Sequence, residues 1–217
     1  MEETIELREI IDSLLKGKWI IASVTAICML IAGIVSWFIL SEKYESTAVV
    51  QIRYDIQDTG VLNSYIASEF TPQVFSQRMT NSEVLNAAFE KEGMVNKYNS
   101  SNIAVETKEN ILTLSYTSNS SKNAQKELQT IINVTKNEMV KSQEYNKVLE
   151  NYQSAKIEQE SFNPDPYFSV IIKPTLAEGP SSPNKVLNVA IGFVLGVILG
   201  STIVIFRNYW RSSAPAK

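Results

Sequence analysis

Two runs of the chain carry no charged residue at all: Trp19 to Ser41, 23 residues, and Val186 to Phe206, 21 residues. A bilayer hydrocarbon core of about 30 Å takes roughly 20 apolar residues in a helix, so each run is long enough to cross it. This divides the 217 residues into a lead of 1–18, a first span of 19–41, a middle of 42–185, a second span of 186–206 and a tail of 207–217. On an insertion scale of about −0.3 to −0.6 kcal/mol per residue, the Ile, Leu, Val and Phe residues contribute about −3 to −7 kcal/mol in the first span and about −4 to −8 in the second. Both runs are expected to insert. The first is longer than the apolar region of a signal peptide, and Ile39-Leu40-Ser41-Glu42-Lys43-Tyr44 offers no small-x-small cleavage site, so it reads as an uncleaved anchor.

The flanks set the expected orientation. Lys16 and Lys18 abut the first span, Arg207 and Arg211 follow the second, and no acidic residue lies in the tail. Basic residues stay on the cytoplasmic side, which predicts both termini in the cytoplasm and the middle segment outside the membrane. Ahead of the first span, Ile5, Leu7, Ile10, Ile11, Leu14 and Leu15 recur at helical spacing among Glu6, Arg8, Glu9 and Asp12. That pattern fits an amphipathic helix on the inner membrane surface, or a plain helical lead-in to the span.

Within 42–185, Tyr44 to Tyr54 is rich in β-branched and aromatic residues, with Ala48, Val50, Ile52 and Tyr54 on one alternating set, and predicts a first strand. From 61 to 92 the period becomes helical. Thr71 before Pro72, and Asn81 or Ser82 before Val84, mark helix starts, and Gly93 marks a stop. Residues 103–107 and 111–117 alternate around Lys108-Glu109-Asn110 and predict a hairpin. Ser121 to about Glu160 has no Pro or Gly and predicts a long helix, with Ala124, Leu128, Ile131, Ile132 and Met139 inward, Thr135 and Ser142 interrupting the seam, and the charged residues forming a solvated face. Five of seven prolines then fall between 164 and 183, with Tyr167 to Ile172 a last strand beside the first. The expected fold is α+β: a membrane protein with two transmembrane helices flanking an α+β domain that contains a long helix.

The inventory for chemistry is thin. The chain has no His and a single cysteine, Cys28, inside the first span, which removes the commonest general base, every His/Cys metal cluster and any disulfide within one chain. The carboxylates Asp55 and Asp58 read as solvated loop residues. No catalytic residue, cofactor or metal site is predicted, and 14 basic against 18 acidic residues in the middle segment give no basic patch for nucleic acid. The sharpest local pattern is Gly192, Gly196 and Gly200, which lie along one helix face and let another backbone approach closely. Its partner is either another copy or the first span, where Ala22, Ala26 and Gly33 are small enough to receive it.

Ile5-Glu6-Leu7-Arg8-Glu9-Ile10-Ile11 leading to Lys16-Gly17-Lys18-Trp19, the Tyr44-Glu45-Ser46 strand start, and Pro174, Pro180 and Ser182-Pro183-Asn184-Lys185 running into Gly192-x3-Gly196-x3-Gly200 resemble the bacterial Wzz-type polysaccharide co-polymerases. The resemblance covers the ends and the overall plan of the chain. It implies a non-enzymatic membrane protein that forms a homo-oligomeric ring and sets the chain length of a capsular polysaccharide or exopolysaccharide beside its polymerase and export machinery. In Gram-positive relatives it implies a modulator of a separate cytoplasmic tyrosine kinase. Those modulators carry a longer tail, so here a kinase contact would fall to Tyr209, Trp210 or the N-terminal helix. The Pro174, Pro180, Pro183 and Lys185 segment is expected to hold the domain against the bilayer. The rival reading is a two-helix membrane sensor, which predicts a concave ligand site in the middle domain.

Overall fold

The computed structural model describes residues 7–53, 67–140 and 167–212. It divides into two compact units, one of residues 1–42 with 182–217 and one of 43–181.

In the first unit, α1 (Leu7–Lys16) stops at Gly17 and α2 (Lys18–Ile34) follows, extended by a π-helical turn over Val35–Ile39 in which the Leu40 N–H donates to the Val35 carbonyl at 3.0 Å. The long C-terminal helix α6 (Lys185–Ser212) packs against α2. Asn184 starts it, its Oδ1 accepting from the Leu187 N–H at 3.0 Å. Among the described residues, Lys18–Ile39 and Lys185–Trp210 are the two helices long and apolar enough to cross a membrane, and most of their side chains are uncovered.

The second unit is a four-stranded antiparallel sheet in the order β2-β3-β1-β4, formed by β1 (Tyr44–Ile52), β2 (Ile103–Lys108), β3 (Ile111–Ser118) and β4 (Phe168–Ile172). The strands follow from period-two patterning. Ser46, Ala48, Val50 and Ile52 of β1 and Leu112, Leu114, Tyr116 and Ser118 of β3 are buried, while the residues between them are not. β2 and β3 pair from Ile103↔Tyr116 to Lys108↔Ile111, leaving Glu109 and Asn110 as the turn, with Glu109 at φ 55°. The last strand does lie beside the first, with Val50 opposite Val170.

Helices α3 (Pro72–Arg78), α4 (Ser82–Lys91) and α5 (Ser121–Val140) join the strands in this core. Thr71 and Asn81 start α3 and α4, accepting from the Val74 and Val84 N–H respectively. Gly93, at φ 64°, follows α4 in the left-handed conformation that ends helices. α5 packs on β1 and β3 through Ala124, Leu128, Ile131, Ile132 and Met139, all fully buried. Thr135 is buried in the same seam. Aromatic contacts close the ends of the core: Phe75 on Phe168 with ring centroids 4.9 Å apart, Phe70 on Tyr167 at 5.8 Å and Phe89 edge-on to Tyr98 at 5.8 Å. The predicted elements at Tyr54, over 61–66 and over 141–160, with Asp55, Asp58 and Ser142, lie outside the described residues.

Candidate helix-packing site

Gly192, Gly196 and Gly200 face the chain's own first span. A Cβ built on Gly192 would lie 2.8 Å from Ala32 Cβ and 3.1 Å from the Cys28 carbonyl oxygen. On Gly196 it would lie 2.6 Å from Thr25 Cα and 3.1 Å from Cys28 Cβ, and on Gly200 2.8 Å from Ile21 Cα. None of these positions has room for a methyl group, so glycine brings the two backbones together in an antiparallel hairpin of helices.

The receiving face is Ile21, Thr25, Cys28 and Ala32, which corrects the expectation of Ala22, Ala26 and Gly33. A step of one residue rotates a helix by about 100°, so the small residues at 22 and 26 point elsewhere. Thr25 and Cys28 are small enough to serve. A methyl group at Gly33 would meet Trp37 Cζ3 first, at 3.8 Å, an ordinary contact.

Polar contacts clasp the hairpin at both ends. Asn188 Nδ2 donates to Ser36 Oγ at 3.0 Å, with Ser36 1% exposed, and Asn208 Nδ2 donates to Ser13 Oγ on α1 at 2.8 Å. Lys185 Nζ pairs with Glu42 Oε1 at 2.9 Å and sits 5.8 Å above the Trp37 ring. Pro183, joined to Ser182 by a cis bond, belongs to this unit with Lys185. Pro174 and Pro180 belong to the other. There Pro174 is buried, and its carbonyl accepts from Gln125 Nε2 at 2.8 Å. The Thr175 N–H donates to the Thr47 carbonyl at 3.0 Å, while Pro180 is exposed. Near the end of α6, Tyr209 and Trp210 are 59% and 68% exposed.

One buried group escaped the sequence reading. Glu127, expected on the solvated face of α5, is 2% exposed. Asn96 Nδ2 reaches its Oε1 at 2.8 Å, Ser118 Oγ at 3.0 Å and Asn119 Oδ1 at 3.2 Å, and Asn123 Nδ2 donates to Asn119 Oδ1 at 2.8 Å. Burial pushes the Glu127 carboxyl above its ordinary range, while the hydrogen bonds from Ser118 and Asn96 pull it down. The only sequence signal was position: Glu127 adjoins Leu128 and stands one turn before Ile131, at the edge of the apolar stripe.

A cavity of about 30 Å³ opens between α3, α4 and α5, lined by Arg78, Asn81, Val84, Leu85, Val134, Thr135 and Glu138. Arg78 is held there by Glu69 Oε2 at 2.6 Å. The cavity suits a water, and it is an order of magnitude below the roughly 300–1,000 Å³ of small-molecule sites.

Residues 3–92 match the family model described as chain length determinant protein, Wzz, and residues 126–209 match the model described as "G-rich domain on putative tyrosine kinase". The chain carries a Wzz chain-length-determinant domain over residues 3–92. The Wzz match runs from α1 through the first span and β1 to the end of α4, and the G-rich match runs from within α5 through the second span, Gly192, Gly196 and Gly200 included. A solved full-length bacterial polysaccharide co-polymerase has the same fold at a TM-score of 0.55 and 16% identity, over 97% of this chain and 100% of that one. A fragment of WzzB, the polysaccharide co-polymerase from Salmonella Typhimurium, aligns at a TM-score of 0.38 and 17% identity, over 64% of this chain and 99% of the fragment. No curated protein sequence matches. The Wzz match together with the two apolar helices supports a membrane protein.

Proposed function

We propose that this chain is a polysaccharide co-polymerase: a non-catalytic, homo-oligomeric plasma-membrane protein that sets the length of a capsular or extracellular polysaccharide made and exported beside it. The match of residues 3–92 to the chain length determinant model carries this reading. Both termini face the cytoplasm, supported by Lys16, Lys18 and Arg207 at one end of the hairpin, and residues 43–181 face outward. The glycine face is filled by the chain's own first span, so copies meet through other surfaces. The G-rich model's description supports a second partner, a separate cytoplasmic tyrosine kinase, contacted by α1 with Tyr209 and Trp210.

Deleting the gene and restoring it tests both parts, with polysaccharide length and amount read on gels and tyrosine phosphorylation on blots. Loss of the modal length on deletion, and its return on restoration, is the expected result. Unchanged length and amount would refute the co-polymerase reading, and unchanged phosphorylation would refute the kinase partner.

A further inference from the structure

The end of the hairpin that carries both termini gathers its cations. Gly17 separates α1 from α2 and, lacking a Cβ, sits directly against α6: a Cβ there would clash with the Val204 side chain. The Asn208 to Ser13 hydrogen bond fixes α1 to α6 beside it. These contacts bring Lys16 and Lys18, which flank Gly17, to the level of Arg207, three residues beyond Val204 on α6. All three are exposed, and none joins an ion pair among the described residues. Against them stands Asp12, exposed one turn before Lys16 and the nearest carboxylate along α1.

The surface around the cations is apolar and uncovered. Ile11 and Leu15, four residues apart on α1, are 50% and 63% exposed, and Trp19 is 77% exposed. Phe206 and Trp210 pack together with centroids 5.6 Å apart on α6. Tryptophan at a span end sits at headgroup depth, and an amphipathic helix lies in the interface with its apolar side toward the acyl chains. Cations alone would take any phosphate. Cations bordered by exposed Ile, Leu and Trp match a molecule that has an anionic headgroup and hydrocarbon chains.

We propose that Lys16, Lys18 and Arg207 form a binding site for the headgroup of an anionic phospholipid, with its acyl chains running along Trp19 toward the span. The site deepens the membrane reading above by naming a lipid class, and it would anchor α1 to one leaflet. Phosphatidylglycerol and phosphatidylcholine are the probes, added to the purified full-length chain in detergent and scored by native mass spectrometry, without polymer or polymerase. The proposal therefore fails or stands apart from the co-polymerase reading.

Phosphatidylglycerol should bind in preference, with affinity falling about fivefold for each cation removed in Lys16→Gln/Lys18→Gln and in Arg207→Gln. Lys16→Arg/Lys18→Arg should keep binding, and Lys122→Gln, at an exposed position of α5, should leave it unchanged. Should the double variant misfold, Arg207→Gln alone decides. Equal binding of the two lipids, equal loss in the Arg and Gln variants, or displacement of phosphatidylglycerol by inorganic phosphate would each overturn the proposal.

Discussion

Gly196 gives the sharpest test of how the spans pair. A methyl group there would meet Thr25 Cα at 2.6 Å, where unstrained carbon pairs sit about 3.5–4.0 Å apart, so α2 and α6 must separate by roughly 1 Å. A radial gap of that size forfeits up to about half of the dispersion energy of the contacts it opens. Backbone is the obstacle, so no rotamer change relieves it, and overpacking of this kind costs about 1–3 kcal/mol. Alanine returns up to about 1 kcal/mol through helix propensity. The net expected loss for Gly196→Ala is about 0–3 kcal/mol, rising for Gly196→Leu. Gly33→Ala is the control, since its methyl meets nothing closer than 3.8 Å and keeps the propensity gain. Thermal unfolding of the purified chain in detergent should therefore move in opposite directions, down for Gly196→Leu and level or up for Gly33→Ala. Equal shifts would refute close backbone packing at Gly196.

Three further outcomes follow from the same contacts. Gly196→Cys places its Cβ 3.1 Å from Cys28 Cβ before relaxation, close to the separation of about 3.5–4.5 Å in a disulfide, so oxidation should link the spans within one chain. After proteolysis within 43–181 the two fragments should stay joined on a non-reducing gel, and disulfide-linked dimers instead would contradict the intrachain hairpin. Ser36→Ala removes the acceptor of Asn188 and should cost about 0.6 kcal/mol, as hydrogen bonds between membrane helices average, with no loss on unfolding assays counting against the clasp. Burial raises the Glu127 carboxyl above its ordinary 4.5, so the folded chain holds the proton more tightly and stability falls as pH rises through the folded value. Glu127→Gln keeps an oxygen for Asn96 and removes the charge, so it should raise the Tm at neutral pH and flatten the decline above about pH 4.5, whereas a lower Tm would show that the ionised form is favoured.

The patterns that depend on neighbours in sequence were legible. The β1 alternation, the hairpin around Glu109-Asn110, the Thr71-Pro72 and Asn81 helix starts and the Gly93 stop are local devices, and each lies where its residues predict. Partnerships across the chain were not. The glycine stripe announced a close approach, yet the face of α2 that meets it depends on how the whole helix is rotated, so Thr25 and Cys28 receive it in place of Ala22 and Ala26. Glu127 looked solvated because its partner Asn96 stands 31 residues away, on the loop after α4. The π-helical turn at Val35–Ile39 has no residue that marks it.

A chain that sets polymer length should control it through its own amount. Cells lacking the chromosomal copy would express the chain from an inducible promoter, and the surface polysaccharide would be sized by gel at each level. The distribution should be broad without the chain and narrow to a defined modal length as expression rises. A distribution that stays the same at every expression level would contradict it.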